Sequence, residues 1–456
     1  MNKIRFTLLF LFLSVWAMYN MIESPNETTL KINGSIGLFQ LILSVYSWIK
    51  IGNKLISPYF FFLLCLYVFC FGQSFFYPFN IHIDTDLIYT EQISMIFKAQ
   101  CLTLIFLNSF HLGALRAKNI SNYISDCNNI EFPNLKKIAW IMFIISAYPY
   151  LNGKIASLQF SLQHGYGSLY NIEQKYGLDV GIKGIISDFF IPSTICLFVA
   201  YAYKKTARNL IFSLWIILII IMLNIGGRTR SVILLALMLI LYNNYVKPFT
   251  KKQLIIVAFG GMIVLSLLSY IRQTRNVTKR SMNITHMLLD ENGAVQTISE
   301  MGSTMFCIIH TMEYVPSDED YRYGKSYAYS LTTLIPNLGF WEEHPAKKEA
   351  NLGEWLTNKM ELSYGPGYST VAEAYINFGQ LGFIMMYILG FFFSSMFGVL
   401  EPAIKKKNIP IVVFTLIVFF MCLRIPRNSF IGIVRAIFYH GFFFYLVIKN
   451  KKKLIV

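Results

Sequence analysis

Residues 209–252 read NLIFSLWIILIIIMLNIGGRTRSVILLALMLILYNNYVKPFTKK: two apolar runs, a short glycine-arginine turn between them, and a lysine-rich close. Each run approaches the roughly 20 residues that an α-helix needs to cross the hydrocarbon of a bilayer. In lipid the backbone must satisfy its own polar groups, and a helix does this within one segment. The stretch therefore predicts a helical hairpin in a membrane, with spans at 209–226 and 231–246.

Similar apolar runs recur on both sides of this hairpin, at 5–20, 34–50, 57–78, 93–115, 137–152, 184–203, 252–271, 378–400, 409–424 and 430–448. The total is about twelve spans. Composition agrees. The 456 residues are 55% hydrophobic and only 14% charged, whereas soluble domains carry about 25% charged residues. Mean hydropathy is +0.50. The net charge of +16 would suit a nucleic-acid binder, but the cations flank apolar runs and form no basic domain. Membrane lipids are the expected surroundings, and no nucleic-acid partner is expected.

Starting the chain inside makes Lys50–Lys54, Arg116–Lys137, Lys204–Arg208, Lys247–Lys252, Lys405–Lys407 and Lys449–Lys453 all cytoplasmic. Each is lysine-rich, as the positive-inside rule requires, and both termini then lie in the cytoplasm. Lys3 and Arg5 precede the first apolar run as in a signal peptide. That run ends Val15-Trp16-Ala17-Met18-Tyr19-Asn20 without a small-x-small cleavage site, so it reads as an uncleaved first span. The expected fold is all-α: a polytopic single integral-membrane domain over 1–456, with two long loops on the non-cytoplasmic side. These are 153–183 and 272–377. The larger carries apolar runs at Ile298–Met312 and Tyr327–Ile335, read as short helices on or dipping into the membrane surface. Loops of such length in a compact protein usually carry function.

The seven cysteines form no CxxC and no metal-spaced cluster, and they read as small core hydrophobes. Arginine is more informative. On this topology Arg228, Arg230, Arg272, Arg275, Arg280, Arg322, Arg424, Arg427 and Arg435 fall on or near the outer face. That is the side the positive-inside rule leaves poor in cations. A guanidinium fork matches phosphate oxygens two at a time, whereas lysine is a point charge. Three turns supply most of the set: Gly226-Gly227-Arg228-Thr229-Arg230, Arg272-Gln273-Thr274-Arg275 and Arg424-Ile425-Pro426-Arg427. Arg435 lies about a turn inside the last span, as Lys98 does in the fourth. Any one of these cations is equally explained by snorkelling to lipid headgroups; the set together points to an anion, and a lipid-borne phosphate or pyrophosphate is the natural one.

Tyr364-Gly365-Pro366-Gly367-Tyr368-Ser369 is a tight turn running into a helix, on which Ser369, Glu373 and Asn377 lie four apart on one face. Glu373 there suits sugar binding or general-base work, or equally a structural partner of the helix N-terminus or of an arginine. Glu300 in Glu300-Met301-Gly302-Ser303 is a weaker sugar-binding candidate. His344, in Trp341-Glu342-Glu343-His344-Pro345, is a second candidate base, against the plainer reading of a surface histidine. His111 reads as a helix-packing histidine. Asp84-Thr85-Asp86 resembles a two-carboxylate metal holder, but without further ligands it reads as a solvated loop. No GxxxxGK[ST], HExxH or GxSxG is present, which removes the usual signals of ATP-driven transport, zinc hydrolysis and serine hydrolysis.

The run Gly365-x-Gly367-x-Ser369-x₃-Glu373-Ala374-Tyr375-x-Asn377-Phe378-Gly379-x₂-Gly382 resembles Wzy-type oligosaccharide repeat unit (O-antigen) polymerases. So do Gly226-Gly227-Arg228 opening a span, the Arg272/Arg275 pair and Glu300-x-Gly302. Such enzymes resemble the GT-C class of membrane glycosyltransferases. The resemblance implies a bacterial inner-membrane enzyme with a periplasmic site, a growing glycan on undecaprenyl pyrophosphate as donor, and a lipid-linked repeat unit as acceptor. It implies Arg228, Arg230, Arg272, Arg275, Arg424, Arg427 and Arg435 as pyrophosphate ligands, Glu373 or His344 as base, and Ser369, Asn377 and Glu300 as sugar ligands. The arginines would stand where other transferases hold a metal, so no metal and no cofactor is expected. A flippase and a chain-length regulator are the partners implied. An O-antigen ligase or other GT-C transferase shares the composition and the outward arginines. A lipid-linked oligosaccharide transporter shares the span number, but carriers place charge at the midplane and repeat their halves, and neither pattern is seen here.

Overall fold

The computed structural model describes residues 2–117, 124–127, 130–164, 182–225, 228–274, 293–335, 337, 341–362, 364–450 and 453–454. The first helices are α1 (Asn2–Met21), α2 (Glu27–Lys50), α3 (Pro58–Phe71), α4 (Ile93–Arg116) and α5 (Asn134–His164). They are followed by α6 (Ile182–Asp188), α7 (Phe190–Tyr201), α8 (Lys205–Ile225), α9 (Arg228–Tyr245) and α10 (Lys251–Thr274). A series of short helices comes next: α11 (Gly293–Gly302), α12 (Met305–Tyr314), α13 (Lys325–Ser330), α14 (Pro345–Ala350), α15 (Leu352–Lys359) and α16 (Thr370–Phe378). Last come α17 (Gly382–Gly398), α18 (Leu400–Lys405), α19 (Ile409–Cys422), α20 (Ile431–Arg435), a π-helical stretch (Ala436–Phe442) and α21 (Phe443–Lys449). Among the described residues the only strands are the two-residue pair Ile130–Glu131 and Lys453–Leu454.

Among the described residues eight helices are long and apolar enough to cross a membrane, and nine if Pro58–Phe71 and Gln73–Phe79, which meet at a bend of 84°, form one span. The remaining expected spans, at 137–152, 231–246 and 252–271, coincide with α5, α9 and α10, apart from Val246 just past the end of α9. The protein is thus an all-α polytopic membrane protein. One boundary differs from expectation: α5 runs through Gly153 to His164, into the segment expected to be a loop. A glycine costs a helix only about 1 kcal/mol, and Lys154–His164 are mostly good helix formers, so Gly153 does not end it.

Local chemistry sets the helix starts. Asn26 and Thr29 form a reciprocal capping box at α2, whose first turn carries Glu27 and last turn Lys50, matching the helix dipole. Ser57 caps α3 ahead of Pro58.

The chain divides into two compact units. One comprises Met1–Ile120, Ile298–Gly398 and Cys422–Arg435; the other Ser121–Thr297, Val399–Met421 and Ala436–Val456. In the first, α4 is buried along nearly its whole length, with α1, α2 and α17 against it. Polar side chains join these apolar helices. Gln40 donates to the Tyr67 hydroxyl and to Leu104 O, both at 3.0 Å, and Asn108 donates to Leu8 O at 2.9 Å. His111 is the packing histidine its position indicates, with Nε2 2.6 Å from Ser47 Oγ and Nδ1 2.9 Å from Tyr59 OH. In lipid, such bonds and close small-residue contacts hold helices together where hydrophobic burial gives little. In the second unit, Tyr150 of α5 stacks on Phe190 of α7 at 4.4 Å, and Trp215 of α8 donates to Thr194 of α7 at 2.9 Å.

The crossing of α4 and α17 depends on two glycines. A Cβ at Gly113 would overlap the Tyr387 carbonyl, and one at Gly390 would overlap the Phe110 carbonyl. Because these neighbours are backbone, no side chain can rotate away. Gly390→Val is expected to force the helices apart and lower stability by about 1–3 kcal/mol. Gly398→Ala, where a Cβ meets open space, should cost nothing. Thermal unfolding of the detergent-purified protein reads both, and equal melting temperatures would show that the helices do not cross at these residues.

Candidate functional site

The glycine-rich stretch singled out in the sequence is stitched to the Arg424–Arg427 turn. Gly367 has φ +81, and a Cβ there would lie 3.1 Å from Arg427 O, so both conformation and closeness call for glycine. The next residue, Tyr368, donates its backbone N–H to Arg427 O at 3.2 Å. Thr370 Oγ1 donates to Ile425 O at 3.0 Å. Ser369 caps α16, its hydroxyl accepting from the Val371 N–H at 3.2 Å. Ile425–Arg427 form one 3-10 turn. Arg424 precedes this turn and Arg427 ends it, and both are half-buried.

Glu373 is 1% exposed and joins three segments. Its Oε1 accepts from Ser326 Oγ of α13 at 2.7 Å, and its Oε2 accepts from the backbone N–H of Phe430 at 2.6 Å. Asn377, one turn on, donates to Ser326 Oγ at 2.8 Å and accepts from the Gly324 N–H at 3.0 Å. The backbone carbonyls of Ile376 and Asn377 take the N–H groups of Arg322 and Tyr323 at 2.9 and 3.0 Å. The face that carries Ser369, Glu373 and Asn377 is therefore turned into protein, where its polar atoms fix the loop before α13 and the residues after the arginine turn. Tyr368 stands beside it, 1% exposed. Burial lifts its phenol above the ordinary range, so it remains O–H and shares a 3.0 Å hydrogen bond with Thr311. Arg322 is held by Glu349 O at 2.8 Å and by the Trp355 ring, 5.4 Å from its guanidinium carbon.

The other sequence-derived candidates are distributed as follows. Arg424, Arg427, Arg435, Glu300, Ser369, Glu373 and Asn377 all lie in the first unit. Arg435 is exposed at the end of α20, and Glu300 is half-buried on α11. Gly302 of the Glu300-x-Gly302 match has a packing reason, because a Cβ there would overlap Gly72 and Gln73. Arg228 and Arg230 open α9 in the second unit, half-buried and exposed. Arg272 is on α10, and Arg275 lies outside the described residues. His344 caps α14: Nδ1 accepts the Ala346 N–H at 3.1 Å and Nε2 lies 3.0 Å from Ile335 O. A neutral imidazole protonated on Nε2 satisfies both contacts, which leaves no ring lone pair for a substrate proton.

Two features were missed. Asp84 and Thr85 are exposed, as expected of a solvated loop, but Asp86 is 2% exposed and accepts from Ser299 Oγ at 2.8 Å. His310 lies between carboxylates, with Nδ1 2.8 Å from Glu313 Oε2 and Nε2 3.5 Å from Glu91 Oε1. Glu313 is at i+3 and was visible in the sequence, but Glu91 arrives from a distant loop. The His310 Nε2 is buried 3.5 Å from Glu91 Oε1, without a hydrogen-bond partner among the described residues. Among the described residues no group of three His, Cys, Asp or Glu side chains is placed to hold a metal ion.

Replacing Glu373 by Leu leaves the Ser326 hydroxyl and the Phe430 N–H without their acceptor. It is expected to lower stability by about 1–3 kcal/mol, with Glu373→Gln, which keeps one acceptor oxygen, falling between Leu and wild type. His344→Asn, which retains a capping group, should be silent. Thermal melts of the three variants decide, and a Glu373→Leu protein as stable as wild type would remove the proposed cross-link.

Comparison with known proteins bears on what this arrangement serves. No curated protein and no solved structure matches the chain. The sequence model of the family described as O-antigen polysaccharide polymerase Wzy matches residues 3–456, and so takes in both units and every residue discussed above. The chain belongs to the O-antigen polysaccharide polymerase Wzy family.

Proposed function

We propose that this polymerase joins undecaprenyl-pyrophosphate-linked oligosaccharide repeat units on the periplasmic face of the bacterial inner membrane, as a glycosyltransferase of GT-C-like plan. The observation that carries the reading is the Arg424–Arg427 turn, whose backbone carbonyls accept from the Tyr368 N–H and the Thr370 hydroxyl and which is followed by Phe430, whose N–H donates to Glu373, in a chain of this family. Two arginines three residues apart on one backbone-bonded turn offer the forked donors that suit a pyrophosphate.

In the reaction a hydroxyl of the acceptor sugar loses its proton and attacks the anomeric carbon of the donor glycan. The bond from that carbon to the phosphate oxygen breaks, and undecaprenyl pyrophosphate leaves with the electron pair. Charge grows on the leaving group as the transition state forms, so fixed arginines lower the barrier selectively. Glu373 uses one lone pair on each oxygen for Ser326 and Phe430. A carboxylate has about four such sites, and we assign the proton to one that remains. The proton finishes on Glu373. Ser369 and Asn377 shape the site through their contacts within the protein, and Glu300 is kept as a sugar ligand. Arg435, Arg228, Arg230, Arg272 and Arg275 are kept as phosphate ligands on the chemistry of their side chains.

Deletion of the gene, with the surface glycan read on a gel and lipid-linked sugars by mass spectrometry, tests this directly. The long ladder should vanish, leaving core with one repeat and single lipid-linked units facing outward. Complementation with Arg427→Lys, which keeps the backbone contacts and the charge but loses the fork, should restore polymer at roughly 10²-fold reduced rate. Accumulation of long lipid-linked chains with no repeat on the core would instead mean a ligase. Single units trapped inside would mean a transporter.

A further inference from the structure

Tyr327 has a buried hydroxyl with no hydrogen-bond partner among the described residues. Its neighbours on the same segment do not share this state. Ser330 donates to Ser326 O and Thr333 to Ser330 O, both at 2.7 Å, and Thr332 donates to Tyr329 O at 2.7 Å. The segment satisfies its other hydroxyls locally, so the phenol of Tyr327 stands out.

The ring is fixed from two sides. Phe378, the last residue of α16, stacks on it at 6.3 Å with an interplanar angle of 8°, and Phe430 meets it edge-on at 5.2 Å. Both neighbours of Tyr327 serve Glu373: the preceding residue, Ser326, donates to Oε1, and the backbone of Phe430 donates to Oε2. A phenylalanine would fill the same space between these rings without burying an unsatisfied oxygen, which is a standing cost to the folded protein. A hydroxyl kept at such a place calls for a partner that arrives with a ligand.

The surroundings select the ligand's chemistry. Burial, then the charge of Glu373, then Tyr368, push the Tyr327 phenol well above its ordinary range, so it stays protonated. An anion brought to this hydroxyl would meet the Glu373 carboxylate, which disfavours phosphate. A neutral hydroxyl is favoured, and the Phe378 and Phe430 rings offer apolar surface to the C–H face of a sugar. We propose that the Tyr327 hydroxyl binds a sugar hydroxyl of the acceptor repeat unit and holds it beside Glu373. This rests on the polymerase reading and adds to it a place for the acceptor saccharide, apart from the arginines that take the pyrophosphate.

Tyr327→Phe removes the hydroxyl alone. The probe is the lipid-linked repeat unit extracted from cells lacking the polymerase, added to the purified full-length chain in nanodiscs. The variant should melt at or above the wild-type temperature. Its KM for acceptor should rise about ten-fold, with the KM for donor unchanged, and native mass spectrometry should show correspondingly weaker retention of the unit. Unchanged acceptor KM and retention would overturn the proposal while leaving polymerisation intact. A rise confined to the donor KM would overturn it in favour of a phosphate contact. Should the wild type bind the unit yet extend no glycan, weaker retention by Tyr327→Phe still supports a sugar site, and it is the polymerase reading that falls.

Discussion

One buried carboxylate organises the candidate site. Glu373 accepts a hydroxyl from α13 and a backbone N–H from Phe430, and without those donors a carboxylate so far from water would be prohibitively costly. The requirement works in both directions. Because Glu373 is buried, the loop before α13 and the residues after the arginine turn must stay where they are. Because they stay, Arg424 and Arg427 are presented from a turn whose backbone is already bonded to Tyr368 and Thr370. On the proposed reading, a turn whose backbone is already fixed carries its arginines to a phosphate at little cost in chain entropy, as preorganised electrostatic stabilisation needs.

The helices beneath the site meet a different constraint. Between lipid-facing helices apolar burial gives little drive, so contact depends on small residues and on polar side chains that find each other. Gly113 and Gly390 let α4 and α17 touch backbone to backbone, and Gly72 and Gly302 do the same where α3 ends against α11. Gln40, Asn108 and His111 add bonds across α1 to α4. Of the short helices between α10 and α17, α12 and α16 pack directly on α4.

The membrane helices were legible in the sequence because a span needs only a long apolar run, and such a run is a local property. The end of α5 was not, because Gly153 carries the same local signal whether a helix stops or continues. The Gly365–Gly382 stretch was legible as a special place, and the four-residue spacing correctly put Ser369, Glu373 and Asn377 on one face. Spacing does not say what lies opposite that face. Ser326, Gly324 and Phe430 come from elsewhere in the chain, and they give this face contacts within the protein that spacing alone does not show. Tyr327 and His310 were hidden for the same reason: each is defined by neighbours brought from distant segments. The arginines were recognised by residue type and position, and the Arg424–Arg427 turn was read as one unit, but the bonds from its carbonyls to Tyr368 and Thr370 join segments that are distant in the sequence.

The central claim is that this chain alone extends a lipid-linked glycan through arginine-held pyrophosphate. Its most direct measurement is transfer by the purified protein in liposomes supplied with extracted lipid-linked repeat units, in EDTA, with products sized by mass spectrometry. Stepwise chains of two, three and more repeats with release of undecaprenyl pyrophosphate are expected, at a rate that EDTA leaves unchanged. Movement of intact units across the bilayer without extension, or extension that stops when divalent ions are removed, would contradict it.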